Sequence, residues 1–318
     1  MSVTDATRNR LLQVARWIYV GVLVAVVVWL VWSRREDLAE LVAGARPGLL
    51  LLSLALALGQ LGVNAGFWTS ALDALGERQR WATVVDATAR SVPTRYLPGS
   101  VWYALGRATL LHRAGASRRA VGTVAVLESA LSIVVVLTFG AVLLLVSGRL
   151  PAAGWQVAAA CVALAVLASP PVVNALLRLV ARRRGGQAVP LTWRRHLRLL
   201  GWMAVFWAYS ATTFSVYLAA FPGVAVGSVI EVAGSFMVAW GVGFLAVFAP
   251  QGAGVFELTV AALLTTEAVA GVAVVVGGYR ALVAVRDAVA FGATGLRTAA
   301  GRAARGGPEA ASGDPPEA

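Results

Sequence analysis

The 318-residue chain has no lysine, one cysteine and two histidines, and each scarcity closes off some chemistry. Cys161 stands alone inside an apolar run, which rules out an internal disulfide and a cysteine metal cluster. His112 and His196 lie far apart in arginine-rich segments and are read as interfacial side chains, not ligands. The sequence lacks a Gly-x-Ser-x-Gly elbow, a P-loop and a paired His–acid motif, so no enzyme activity, metal or cofactor is expected. Charge is scarce too. Charged residues make up 13% of the chain against 59% hydrophobic, and mean hydropathy is +0.76. That is too little polar surface for a soluble globule of this size, and the expected class is an all-α polytopic membrane protein.

All 27 basic residues are arginine, giving a formal charge of +12. They cluster at the ends of apolar runs and not on a soluble basic domain, so the expected partner is anionic lipid head groups, not nucleic acid. A span needs about 20 mainly apolar residues. Such runs are read near Trp17 to Trp32, Gly48 to Ser70, Ala120 to Val146, Ala153 to Leu176, Leu199 to Ala220 and Gly227 to Phe248, with a short last one from Gly277 to Gly295. The first is read as a retained helix, because Trp-Ser-Arg-Arg-Glu-Asp after Val31 offers no small-residue cleavage site. Residues 1–16 are read as a cytoplasmic N-terminus and 297–318 as a disordered cytoplasmic tail.

Between Arg178 and Arg198 stand seven arginines and no acid, which should be cytoplasmic. With the N-terminus inside, Arg34, Arg35, Arg46, Arg149 and Arg280 fall outside and Arg286 within the last span, leaving the other 21 of the 27 inside.

Two stretches interrupt the apolar pattern. The first is Arg90-Ser-Val-Pro-Thr-Arg-Tyr-Leu-Pro-Gly-Ser-Val-Trp102, followed by a short helix from Ser100 to His112. The second is Ala249-Pro-Gln-Gly-Ala-Gly-Val-Phe-Glu257, followed by a short helix to about Thr266 and an apolar half from Ala268 to Gly277. Both are read as re-entrant or half-membrane helices entering from the cytoplasmic end, which brings the count to seven full spans plus two re-entrant helices, with a weak internal repeat. Backbone leaves the helix inside a bilayer only where protein or a water-filled cavity satisfies it. A helix starting there points unpaired N–H groups and the positive end of its dipole at the cavity, which favours phosphate.

Arg95 and Arg107 beside the first break read equally as phosphate ligands and as side chains snorkelling to head groups; for Arg90 snorkelling leads. Glu128, Glu257, Arg286 and Asp287 are ionisable groups placed where each is a functional candidate by default. Glu257 also suits the first turn of a helix, and Asp287 suits an arginine partner within the packing. Glu128 lies about 13 Å into its helix at ~1.5 Å per residue and has no such local role, so it is expected to pair with Arg95, Arg107 or Arg286. Gln60 and Asn64, one turn apart, read chiefly as polar contacts between helices.

Tyr96-Leu-Pro-Gly-Ser-Val-Trp102, Gly106-Arg107-Ala108, Gly115 with Ser117, Leu127-Glu128, Pro250-x-Gly-x-Gly-Val-x-Glu257 and Tyr279-Arg280 together resemble the lysylphosphatidylglycerol synthase transmembrane family. This is the flippase-like domain of bacterial multiple peptide resistance factors. The resemblance runs nearly to residue 296 and implies a 17–296 domain that moves a phospholipid or lipid-linked molecule between leaflets of the cell membrane without catalysis. It also implies an arginine where this chain has Phe256, so the second motif lacks a cation of its own. Residues expected to line a site for anionic or aminoacylated head groups are Arg95, Tyr96, Pro98, Gly99, Trp102, Arg107 and Glu128 with Pro250, Gly252, Gly254, Glu257, Arg280, Arg286 and Asp287. The competing reading is a non-transporting partner of a glycosyltransferase or lipid-modifying enzyme of the cell envelope.

Overall fold

Proline, serine, threonine and glycine punctuate a chain that is otherwise built to be helical. The computed structural model describes residue 32 and residues 35–96, 101–150, 154–167, 169–183, 190–224, 227–246, 249–264 and 269–305. After α1 (Arg35–Ala43), Pro47 takes the first position of α2 (Pro47–Ala74), where its missing N–H is not needed. Then come α3 (Trp81–Ser91), a 3₁₀ turn (Val92–Tyr96) and α4 (Val101–Arg113). Gly115, at φ 98°, ends α4 in a Schellman turn, with Ala116 N bonded to Leu111 O and Gly115 N to His112 O, both at 3.0 Å. Ser117 then caps α5 (Arg118–Val146), accepting from Ala120 N at 3.2 Å.

The second half holds α6 (Gly154–Leu167), α7 (Pro170–Arg183), α8 (Trp193–Ala219), α9 (Val229–Leu245), a 3₁₀ turn (Pro250–Gly252), α10 (Val255–Leu264) and α11 (Val269–Arg305). Thr192 caps α8 and Ser228 caps α9, the latter with Glu231 three residues on as in a capping box. No strand occurs among the described residues. The protein is an all-α polytopic membrane protein. Of the described helices, α2, α5 and α8 are long and apolar enough to cross a membrane by length and composition, and α6 with α7 makes a fourth if that bent pair is one span. The expected first span lies outside the described residues apart from Trp32.

α2 and α8 pack antiparallel along their whole length: Arg46 N donates to Ala220 O at 2.8 Å, Ser53 Oγ to Thr213 O at 3.1 Å, and Arg195 Nη1 to Ala74 O at 3.1 Å. α5 meets α9 at Gly140, where a Cβ would lie 2.9 Å from Met237 and Val238; small residues let helix backbones approach this closely. An aromatic cluster locks α8 to α11, with Phe214 at 4.9 Å from Phe236 and 5.0 Å from Tyr279, and Phe236 at 5.8 Å from Phe256.

The segment holding the first break leaves and rejoins the bundle at one end. Gln79 Nε2 donates to Ala114 O at 3.4 Å, and Ser117 N to the Glu77 carboxylate at 3.3 Å, so the chain before α3 meets the chain after α4. Within the excursion α4 folds back on the 3₁₀ turn, a Cβ at Gly106 falling 2.8 Å from Thr94 Oγ1.

Four expectations are corrected. The run read as one span from Ala153 to Leu176 is not one straight helix but a pair bent by 52°, because Pro170 opens a new helix. Gly277 and Gly278 do not open a separate span: α11 is continuous across them, and a Cβ at Gly278 would sit 2.4 Å from the Tyr217 hydroxyl, which donates to Val275 O at 2.8 Å. Arg280 therefore lies inside a helix and not in an external connector. The helix also runs to Arg305, past the expected boundary at Arg297, while 306–318 lie outside the described residues.

Candidate functional site

Among the described residues, Arg107, Arg286 and Asp287 are the buried arginines and acids, and the half-buried pair Glu257 and Arg280 stands at the second break. On α2, Gln60, Asn64 and Trp68 recur every four residues and form one stripe. Asn64 bridges two charges: its Nδ2 donates to Glu128 Oε1 of α5 at 2.7 Å, and its Oδ1 accepts from Arg107 Nη1 of α4 at 3.2 Å. Arg107 Nη1 lies 3.6 Å from Glu128 Oε2, and its guanidinium stands over the Trp68 ring at 4.5 Å. The arginine side chain is 2% exposed, that of Glu128 25%. The cation is thus held by an amide, a carboxylate and a π-face, and its 3.6 Å approach to the carboxylate is longer than its 3.2 Å hydrogen bond to the amide. Of the three arginines offered as partner for Glu128, the structure joins Arg107.

One turn down the stripe, ~6 Å at 1.5 Å per residue, Gln60 Oε1 accepts from Arg286 Nη1 at 2.8 Å. Arg286 folds back onto its neighbour, Nε and Nη2 donating to Asp287 Oδ1 at 2.8 and 2.5 Å. Gln60 also faces the Tyr279 hydroxyl. The Asp287 carboxylate therefore pairs with the adjacent arginine inside the packing.

The second break forms the other face. Gln251, Gly252 and Gly254 all have positive φ, at 53°, 66° and 82°. A Cβ on Gly252 would strike the backbone of Gly243 in α9 at 2.8 Å, so both the dihedral and the space call for glycine. Glu257, in the first turn of α10, accepts from Gly254 N at 2.7 Å and pairs with Arg280 Nε. Arg280 Nη2 also donates to Gln251 O at 3.1 Å, and its guanidinium lies 5.8 Å from the Phe256 ring. The second break therefore does hold a cation. Phe256 fills the aromatic cluster and Arg280, reaching over from α11, supplies the charge that the motif itself lacks.

Arg90 pairs with Asp86 at 2.7 Å on α3. His112 is exposed, whereas His196 is buried at 1% exposure inside the bundle and is no interfacial side chain. Pro98 and Gly99 lie outside the described residues, as do the side chains of Arg95, Tyr96, Trp102 and Pro250. The residues that sequence reasoning left out of the site are Gln60, Asn64 and Trp68, although their spacing already put them on one face.

Gly252→Val should destabilise the fold by about 2–4 kcal/mol, from strain at positive φ and from overpacking. Gly243→Ala is the control, since its added Cβ would meet the nearest atoms at an ordinary 3.5 Å. Thermal unfolding in detergent measures both, and equal melting temperatures would contradict the close approach at Gly252.

The sequence profile described as the lysylphosphatidylglycerol synthase TM region matches residues 17–285. The chain belongs to that family. As a lysylphosphatidylglycerol synthase TM region it is a membrane protein with a lipid-related function; the Arg107 cluster and the Glu257–Arg280 pair fall inside the matched residues, and Arg286 and Asp287 lie just past their end. Comparison with curated proteins found no match.

Proposed function

We propose that this lysylphosphatidylglycerol synthase TM region is a lipid translocator, moving a phospholipid or lipid-linked molecule between leaflets without making or breaking a covalent bond. The observation that carries the reading is Arg107, held among apolar helices by Asn64, Trp68 and a loosely engaged Glu128. A buried guanidinium is costly to keep and cannot shed its proton. A guanidinium already oriented, with its carboxylate contact stretched to 3.6 Å, can exchange that contact for a lipid phosphate, to which it bonds bidentately. The re-entrant excursion through the first break and the Glu257–Arg280 face of the second would then border the head group's path. In this reading the protein sits in the cell membrane with both termini cytoplasmic, as the arginine distribution favours.

The test is reconstitution into liposomes carrying a head-group-labelled lipid, run across anionic, zwitterionic and aminoacylated lipids. The expected result is head-group exchange between leaflets faster than in empty vesicles, greatest for a phosphate-bearing anionic lipid. Exchange no faster than in empty vesicles for every lipid would overturn the reading and favour the non-transporting membrane partner.

A further inference from the structure

An apolar cavity lies away from these polar faces. Between α5, α6, α7 and α8 is a cavity of about 260 Å³. Val134, Thr138 and Phe139 of α5 line one wall, Ala165 of α6 another, and His196 and Leu200 of α8 close the inner side. Its walls are almost wholly apolar, and it opens beside Phe139, Trp193 and Leu197, which are 50%, 60% and 58% exposed. Its two ends differ in charge. Phe139 sits in the middle of α5, far from any charged residue in sequence, whereas Trp193 opens α8 next to Arg194.

The arginines at that end divide by partner. Arg195 and Arg198 are taken up by the end of α2, through Ala74 O and Asp73. Arg194 is exposed and stands one turn before Leu197 of the cavity mouth. α7, with exposed Arg178 and Arg182 one turn apart, is pinned beside it: Asn174 Nδ2 donates to Leu191 O at 2.9 Å and Leu191 N to Asn174 Oδ1 at 2.8 Å. No Asp or Glu occurs in sequence between Glu128 and Glu231, and the acid that reaches this end, Asp73, is taken up by Arg198. An apolar slot with an aromatic ring and cations at one mouth matches one amphiphile, an acyl chain under an anionic head group.

We propose that this cavity holds an anionic glycerophospholipid as a resident lipid, one acyl chain in the slot and the phosphate at Arg194. The site is separate from the Arg107 face and does not depend on translocation. The test uses the full chain, delipidated in detergent and titrated with dioleoylphosphatidylglycerol or dioleoylphosphatidylcholine, with bound lipid counted by native mass spectrometry. The anionic lipid should be retained over the zwitterionic one. Arg194→Gln should lower that preference about fivefold, the worth of one basic residue near an anionic head group. Ala165→Phe, which fills the slot, should abolish retention of both lipids while the lipid-free melting temperature stays unchanged. If that variant does not fold, Val134→Phe fills the same slot from α5. Equal retention of the two lipids, or retention indifferent to Arg194 and to filling the slot, overturns the proposal.

Discussion

Asp287→Ala should leave little folded protein. The Asp287 side chain is 1% exposed and that of Arg286 7%, so the substitution strands a guanidinium in a closed apolar setting. Adjacent residues on a helix do not normally face each other, and here Arg286 folds back to put two donors on Asp287 Oδ1 while Gln60 takes a third. Removing one member of a buried pair typically costs about 3–5 kcal/mol, because the remaining charge keeps its desolvation penalty and loses its partner. That is a large part of the stability of a typical domain. Replacing both, as in Arg286→Met with Asp287→Leu, removes the penalty along with the attraction and should recover much of the loss. Size-exclusion profiles and melting temperatures in detergent would read this series. An Asp287→Ala protein melting like the parent would mean that the pair is solvated through an opening, and so is not a packing element.

The break motifs, the long apolar helices and the isolation of Glu128 were legible in the sequence because they are local: a proline, a glycine or a carboxylate in an apolar run declares itself. Pairing was not. Arg95, Arg107 and Arg286 were equivalent as partners for Glu128, and among the described side chains the packing of α4 against α2 and α5 brings Arg107 to it. Gln60, Asn64 and Trp68 could be seen to share a face, yet whether that face meets lipid or arginine depends on neighbours more than 40 residues away. The missing cation at Phe256 misled for the same reason, since Arg280 arrives from another helix. Gly277-Gly278 read as punctuation, because glycine weakens a helix by about 1 kcal/mol per residue. Packing reversed that preference: Tyr217 needs the space at Gly278 and bonds Val275, so the helix runs on.

Arg107→Lys and Glu128→Gln together separate transport from packing, and Arg107→Lys should have the larger effect on anionic-lipid exchange. Lysine keeps the charge but gives up the planar fork that meets a phosphate bidentately and the flat face laid over Trp68. Hydrogen bonds to charged groups contribute about 1.5–3 kcal/mol each, so losing one of them to the phosphate lowers the exchange rate tenfold to about a hundredfold. Glu128→Gln retains an oxygen for Asn64 and most of the side-chain volume while removing the counter-charge 3.6 Å from Arg107. Because that carboxylate is a quarter exposed and its contact with arginine is the long one, folding should change little. Exchange should still fall, since the arginine would keep the incoming phosphate with no internal carboxylate to displace it again. Two measurements decide the matter: melting temperature in detergent, and leaflet exchange of an anionic and a zwitterionic lipid in the same vesicles. Loss confined to the anionic lipid at unchanged melting temperature assigns Arg107 and Glu128 to the head group. Unfolding of both variants would make the cluster a structural joint between α2, α4 and α5.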